Sequence, residues 1–236
     1  MVEGPKLYDA DIAFNPPIWS ELVQTQRKLF CPEALQKISD RLRNEFHYGH
    51  QSGREMPEIS QPDWTTRLLD SYVGRPIGYD LPCLLTADRP TKGKIMLCAQ
   101  DPLRGSGPAK LTVGTFFGID SYYHRTRRHW GMIWQLIRSC VHAGYDVWVT
   151  DAIKLFAGPN VINRDSALRQ LCFDTVRDEV SAFEPDKVIA FGAIAESALN
   201  AANLSAEVLR VPHPTARGTQ GPLTERLEHY RQLILG

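Results

Sequence analysis

Three short stretches carry side chains that can handle protons or charge. Gln100-Asp101-Pro102 puts a carboxylate directly after an apolar run, Asp151 closes a second such run, and His213-Pro214 follows a further one. A carboxylate and a histidine converging on one pocket are the equipment of general acid–base and electrostatic catalysis. Taken singly, an Asp or His at the end of a strand is more often a turn or cap residue. Here a proline fixes the backbone after both Asp101 and His213, so the set points to a site.

Whether these residues meet depends on the elements that carry them. KIMLCAQ (94–100), DVWVTD (146–151), DKVIAFG (186–192) and EVLRVP (207–212) read as buried strands. Amphipathic stretches near Tyr122 to Ala143, Asp165 to Phe183, Ala193 to Ala202 and Thr224 to Leu235 read as helices between and after them. Strands alternating with helices predict an α/β fold, a three-layer αβα arrangement with a central four-stranded parallel sheet. Ligands of such sheets bind outside the carboxyl ends of the strands, where Asp101, Asp151 and His213 all fall. Residues 1 to about 90 are rich in proline and aromatics, with a helical stretch from Ile18 to His47 that Pro32 should divide in two. The segment Tyr48 to Pro62 reads as a loop. A single domain over 1–236 is expected, an α/β core from 92 onward with additional N-terminal helices that wrap the sheet.

Composition narrows the function classes. Lys plus Arg and Asp plus Glu each total 27, so the formal net charge is zero. That excludes a protein coating nucleic acid by bulk charge, though not an enzyme with a local basic face. Five cysteines without a C-x-x-C pair argue against disulfides, zinc or an iron–sulfur cluster, and no metal or cofactor is expected. No apolar run has the roughly 18 residues of a membrane span, and the first residues lack the pattern of a secretory signal. A cytoplasmic monomer is the expectation.

The motifs themselves carry a resemblance. Cys98-Ala99-Gln100-Asp101-Pro102-Leu103-Arg104-Gly105 resembles the first motif of uracil-DNA glycosylases, Gly-Gln-Asp-Pro-Tyr-His-Gly in the best-known family. Val211-Pro212-His213-Pro214-Thr215-Ala216-Arg217 resembles the second, His-Pro-Ser, and comes closest to His-Pro-Ser-Pro-Arg of the single-strand-selective monofunctional branch. Gly114-Thr115-Phe116-Phe117-Gly118 is similar to the Gly-x-Pro-Phe-Gly segment whose aromatic stacks on the flipped base. Val149-Thr150-Asp151-Ala152-Ile153-Lys154 and Lys187 to Gly192 resemble strand ends of the iron–sulfur branches. The resemblance covers roughly residues 92–218 and is specific for the superfamily rather than for one family.

What it implies is hydrolysis of an N-glycosidic bond in DNA containing a damaged base, after the base is flipped from the stack. Asp101 would stabilise the oxocarbenium-like sugar and orient or deprotonate water. His213 would donate to O2 of the leaving base, helped by backbone N–H groups around Gln100. Phe117, or Phe116 if the spacing shifts by one, would stack on the base. Arg217, in the loop that begins at Thr215, would insert into the duplex, and that loop would lie on the DNA. A basic cluster, His124-Arg125-Thr126-Arg127-Arg128-His129-Trp130, could track phosphates through Arg127 and Arg128, although such runs are usually solvated helix faces. Its place at a helix start, against the macrodipole, favours an anionic partner.

Two positions depart from the pattern. Asp151 stands where most uracil-excising relatives carry asparagine, and an ionised carboxylate offers two acceptors where uracil needs an acceptor and a donor. Either Asp151 is protonated, or another donor holds O4, or the base is not uracil, or Asp151 turns away and accepts from Lys154. Leu103 stands where tyrosine bars the thymine methyl. Uracil is the favoured base, with hypoxanthine, xanthine or a modified pyrimidine as alternatives. A hydrolase for a small molecule and a nucleic-acid sensor without turnover are the rival functions. The first lacks a nucleophile elbow or P-loop, and the second would not need Asp101.

Overall fold

The computed structural model describes residues 7–49, 55–102, 109–202, 204–213 and 221–236. Along the chain, β1 (Ile12–Phe14) leads into the short α1 (Trp19–Leu22), a 3-10 turn (Val23–Gln26) and α2 (Pro32–Tyr48). Pro32 occupies the first turn of α2, where its missing N–H costs nothing, and Leu35, Ile38, Leu42 and Phe46 form the buried stripe. Next come β2 (Ile77–Leu81), β3 (Cys83–Ala87), β4 (Gly93–Ala99) and β5 (Leu111–Thr115). They are followed by α3 (Tyr122–Arg125), α4 (Arg128–Ala143), β6 (Tyr145–Asp151), β7 (Leu155–Phe156), α5 (Val161–Arg164) and α6 (Ser166–Phe183). The described chain closes with β8 (Lys187–Phe191), α7 (Ala193–Asn200), β9 (Val208–Val211) and α8 (Leu223–Leu235).

The architecture is mixed α/β with two sheets, of six and three strands. The four expected strands are neighbours in the order β6-β4-β8-β9 and are mutually parallel. The expected four-stranded sheet nevertheless needs correcting. β3 adds to β6 antiparallel and β1 adds to β3, which makes six. The second sheet, β5-β2-β7, has β2 parallel to β5 and antiparallel to β7.

Pro82 explains why β2 and β3 belong to different sheets. It lacks the N–H that a continuous ladder would use, so the chain changes partners there. Trp19 Nε1 donates to the Pro82 carbonyl at 2.9 Å and pins the switch. Buried Asn15, in the left-handed region at φ 46°, accepts from Leu84 N at 2.9 Å and donates to Ser39 at 2.9 Å, joining β1, β3 and α2. The N-terminal part therefore contributes strands as well as the expected helices.

Helices α4 and α8 pack together, as do α6 and α7. The β4-to-β6 crossover runs along the sheet in one direction, and those from β6 to β8 and β8 to β9 run in the other. The one helix expected near 122–143 is broken between α3 and α4. Arg125 is drawn into the core, its Nη2 donating to Phe46 O at 2.6 Å and its guanidinium pairing with Asp9 at 3.0 Å and covering the Phe46 ring at 4.1 Å. A buried guanidinium must be paired in this way, and the backbone bends to deliver it, with Arg128 at φ 42°.

Candidate active site

Register brings the three candidate residues to one edge. Ala99, at the end of β4, lies opposite Asp151, at the end of β6. The turn after β6 is strapped to β4 by Ala152 N donating to Ala99 O and Ile153 N to Gln100 O, both at 2.9 Å. On the other side β8 separates β4 from β9, and Phe191 lies opposite Val211. Gly192 ends β8 at φ 94° and its N–H donates to Val211 O at 3.0 Å, with His213 beside it. Tyr230 of α8 donates to Pro212 O at 2.8 Å and holds the same turn from below.

Asp101 is half-buried and Gln100 is exposed. Gln100 Nε2 donates to Asp101 Oδ2 at 2.8 Å, so its side chain steadies the carboxylate instead of reaching for a base. His213 is also half-buried. Burial holds its imidazole below the usual histidine range, the charge of His129 lowers it further, and Asp101 opposes both. Near neutral pH the ring is therefore a neutral donor and acceptor.

Phe117 sits against this histidine, ring centroids 5.8 Å apart and tilted by 31°. Its backbone lies in the left-handed region at φ 51°, which a bulky residue adopts only when the surroundings dictate it. The result is that Phe116 points into the core while Phe117 presents a half-buried ring at the site. Of the two phenylalanines, Phe117 is the one whose ring lies beside His213. Gly118 follows at φ 62°, and a Cβ there would overlap His124 Nδ1. Gly118→Ala should cost about 1–3 kcal/mol of stability. Thermal denaturation would register this as a lower Tm, and an unchanged Tm would show that the turn is less constrained than its dihedrals indicate.

Asp151 is buried, as is Lys154, but the two are not partners. Lys154 Nζ donates to Thr150 Oγ1 and, at 2.6 Å, to Glu179 Oε1 of α6. Asp151 accepting from Lys154 is thus corrected, because Glu179 holds that ammonium. Glu179 also accepts from Gln26 Nε2 at 2.6 Å, and Tyr79 donates to the Gln26 carbonyl oxygen at 3.1 Å. Sequence reading missed Glu179, although a signal was present: it falls on the buried stripe of α6 with Cys172, Val176 and Phe183.

The basic cluster divides. Arg125 is structural, whereas Arg127 and Arg128 are exposed. Neither has an ion pair with another described residue. Leu103, Thr215 and Arg217 lie outside the described residues. Among the described residues no group of three or more His, Cys, Asp or Glu is placed to hold a metal ion, and no helix is long and apolar enough to cross a membrane. All five cysteines are free thiols, four of them buried. The chain matches no family model and no curated protein.

Proposed function

We propose that this protein is a monofunctional DNA glycosylase that hydrolyses the N-glycosidic bond of a flipped, deaminated base, with uracil as the favoured substrate. The observation that carries the reading is the convergence of Asp101, Asp151 and His213 at one sheet edge with the Phe117 ring against His213. The three-layer αβα arrangement of the superfamily is part of the same proposal.

In this reading the base stacks on Phe117 while the C1′–N bond lengthens. Asp101 stabilises the cationic sugar and orients the water that adds to C1′. The electron pair of the broken bond leaves with the base, and His213 donates a hydrogen bond to the anion at O2. The water's second proton is taken up through Asp101. Because the His213 pKa is lowered, its neutral form persists as pH falls through the ordinary histidine value of about 6.5. The acidic limb of the single-turnover pH profile is expected below that value. A limb at or above it would remove neutral His213 from the mechanism.

One observation favours a second choice of base. Asp151 is buried at the edge of the site, and its carboxylate, when ionised, cannot donate to uracil O4. Hypoxanthine, xanthine or a modified pyrimidine is then the substrate. The deciding experiment presents labelled single- and double-stranded oligonucleotides, each with one uracil, hypoxanthine, xanthine or mismatched thymine, followed by alkali. Alkali-dependent breaks at uracil support the first reading, and breaks only at another lesion make Asp151 the specificity switch. No breaks at any base would overturn the glycosylase reading in favour of a sensor.

A further inference from the structure

A row of rings leaves the site in the direction of the basic cluster. Phe117 faces His213, Gly118 abuts His124, and the His124 ring stands 5.1 Å from Trp130 and 5.7 Å from Tyr123. The Arg127 guanidinium covers Tyr123 at 3.5 Å. Trp130 is 41% exposed, while Trp19, Trp134 and Trp148 are buried in the core. Trp130 thus leaves part of its ring open at the end of this row, with an apolar face that a flat ring could cover.

The charged residues that lead up to Trp130 in the chain are of one sign. Arg127 and Arg128 precede Trp130 by three and two residues, and the first turn of α4 contains no acidic residue. The amino end of this 16-residue helix adds its positive dipole. Gly118, next in the chain to Phe117, abuts His124, whose ring stands beside Trp130, and this contact ties the turn carrying Trp130 to the rim of the same site. Flat apolar faces interleaved with cations fit a polyanion that carries flat rings, which is a nucleic-acid strand. In a duplex those ring faces are stacked on one another. A platform of this kind therefore reads nucleotides that are already unpaired.

Resting on the glycosylase reading, we propose that Trp130, with Tyr123 and Arg127, forms a base-stacking subsite for an unpaired nucleotide next to the flipped one. The substrate class is then a strand whose bases beside the target are free of a partner. Arg127 and Arg128 hold the phosphates between the two nucleotides, and the indole holds the neighbouring base.

The test uses the full chain and two labelled strands of equal charge. One is a thymidine oligomer of roughly 12 nucleotides, within the ordinary range for such grooves, and the other is the same backbone without bases. Trp130→Ala is expected to weaken binding of the thymidine oligomer by about 5- to 150-fold, the range that loss of one base–aromatic stack produces. It should leave affinity for the baseless strand unchanged, and Trp130→Phe should retain most of the binding. Tryptophan fluorescence quenched by the thymidine oligomer in the wild type should persist in Trp130→Phe only as the signal of the remaining indoles. Equal weakening on both strands, or no weakening on either, would overturn the subsite. Excision with a normal Trp130→Ala affinity removes the subsite and leaves the glycosylase. The expected binding pattern without excision does the reverse.

Discussion

Asp101→Asn is expected to lower base excision by about two to four orders of magnitude while leaving affinity for the same oligonucleotide unchanged. The substitution is nearly isosteric. The hydrogen bond that Asp101 Oδ2 accepts from Gln100 Nε2 at 2.8 Å can be met by an asparagine oxygen, so the turn after β4 keeps its support. On the proposed mechanism, what is lost is the negative charge beneath the sugar and the basicity needed to orient and deprotonate water. Both matter only once the glycosidic bond has begun to break, so the loss falls on the chemical step and not on ground-state binding. Single-turnover excision and anisotropy on one labelled substrate separate the two quantities. Undiminished excision would remove Asp101 from the mechanism. A matching loss of binding would assign it to holding the strand instead.

That prediction rests on residues visible in the sequence, and the reason is physical. β4, β6 and β8 are interior strands of the large sheet and β9 is its partly buried parallel edge; each appears as a mainly apolar run, and β4, β6 and β9 lead into Asp101, Asp151 and His213. The emerging residues are the candidate site. β1, β2, β3, β5 and β7 carry no such mark. They are two to five residues long; β1 is an edge strand, β3 joins it to β6, and β2, β5 and β7 form the small sheet, and in strands this short local pattern is weak and long-range pairing decides. Pro82 divides β2 from β3, so residues 77–87 carry no unbroken run that would mark either strand. The break between α3 and α4 was hidden because Arg125 looks like its basic neighbours, and only the folded chain supplies Asp9 and the Phe46 carbonyl. The Phe117 ring was legible as a motif, but its presentation depends on a strained turn that periodicity does not report.

Lys154 shows how far the site depends on a group behind it. Its ammonium and the Glu179 carboxylate are almost fully buried, with 1% or less of either side chain exposed. Lys154→Met removes the cation and leaves Glu179, among the described residues, with the Gln26 amide and the Trp148 indole as donors. A buried carboxylate without its counter-charge should cost about 3–5 kcal/mol. For a chain of this length that corresponds to a fall of roughly 10 °C in Tm. Adding Glu179→Gln to that variant should restore part of the loss, because a neutral amide oxygen still accepts from Gln26 and carries no stranded charge. Urea unfolding of the wild type, both single variants and the double variant gives the coupling directly. Additive losses would show that the pair acts as two independent polar groups. Positive coupling would establish that the ammonium anchors α6 to the end of β6, three residues beyond Asp151. Excision by the double variant would then report whether that anchor also sets the edge of the pocket.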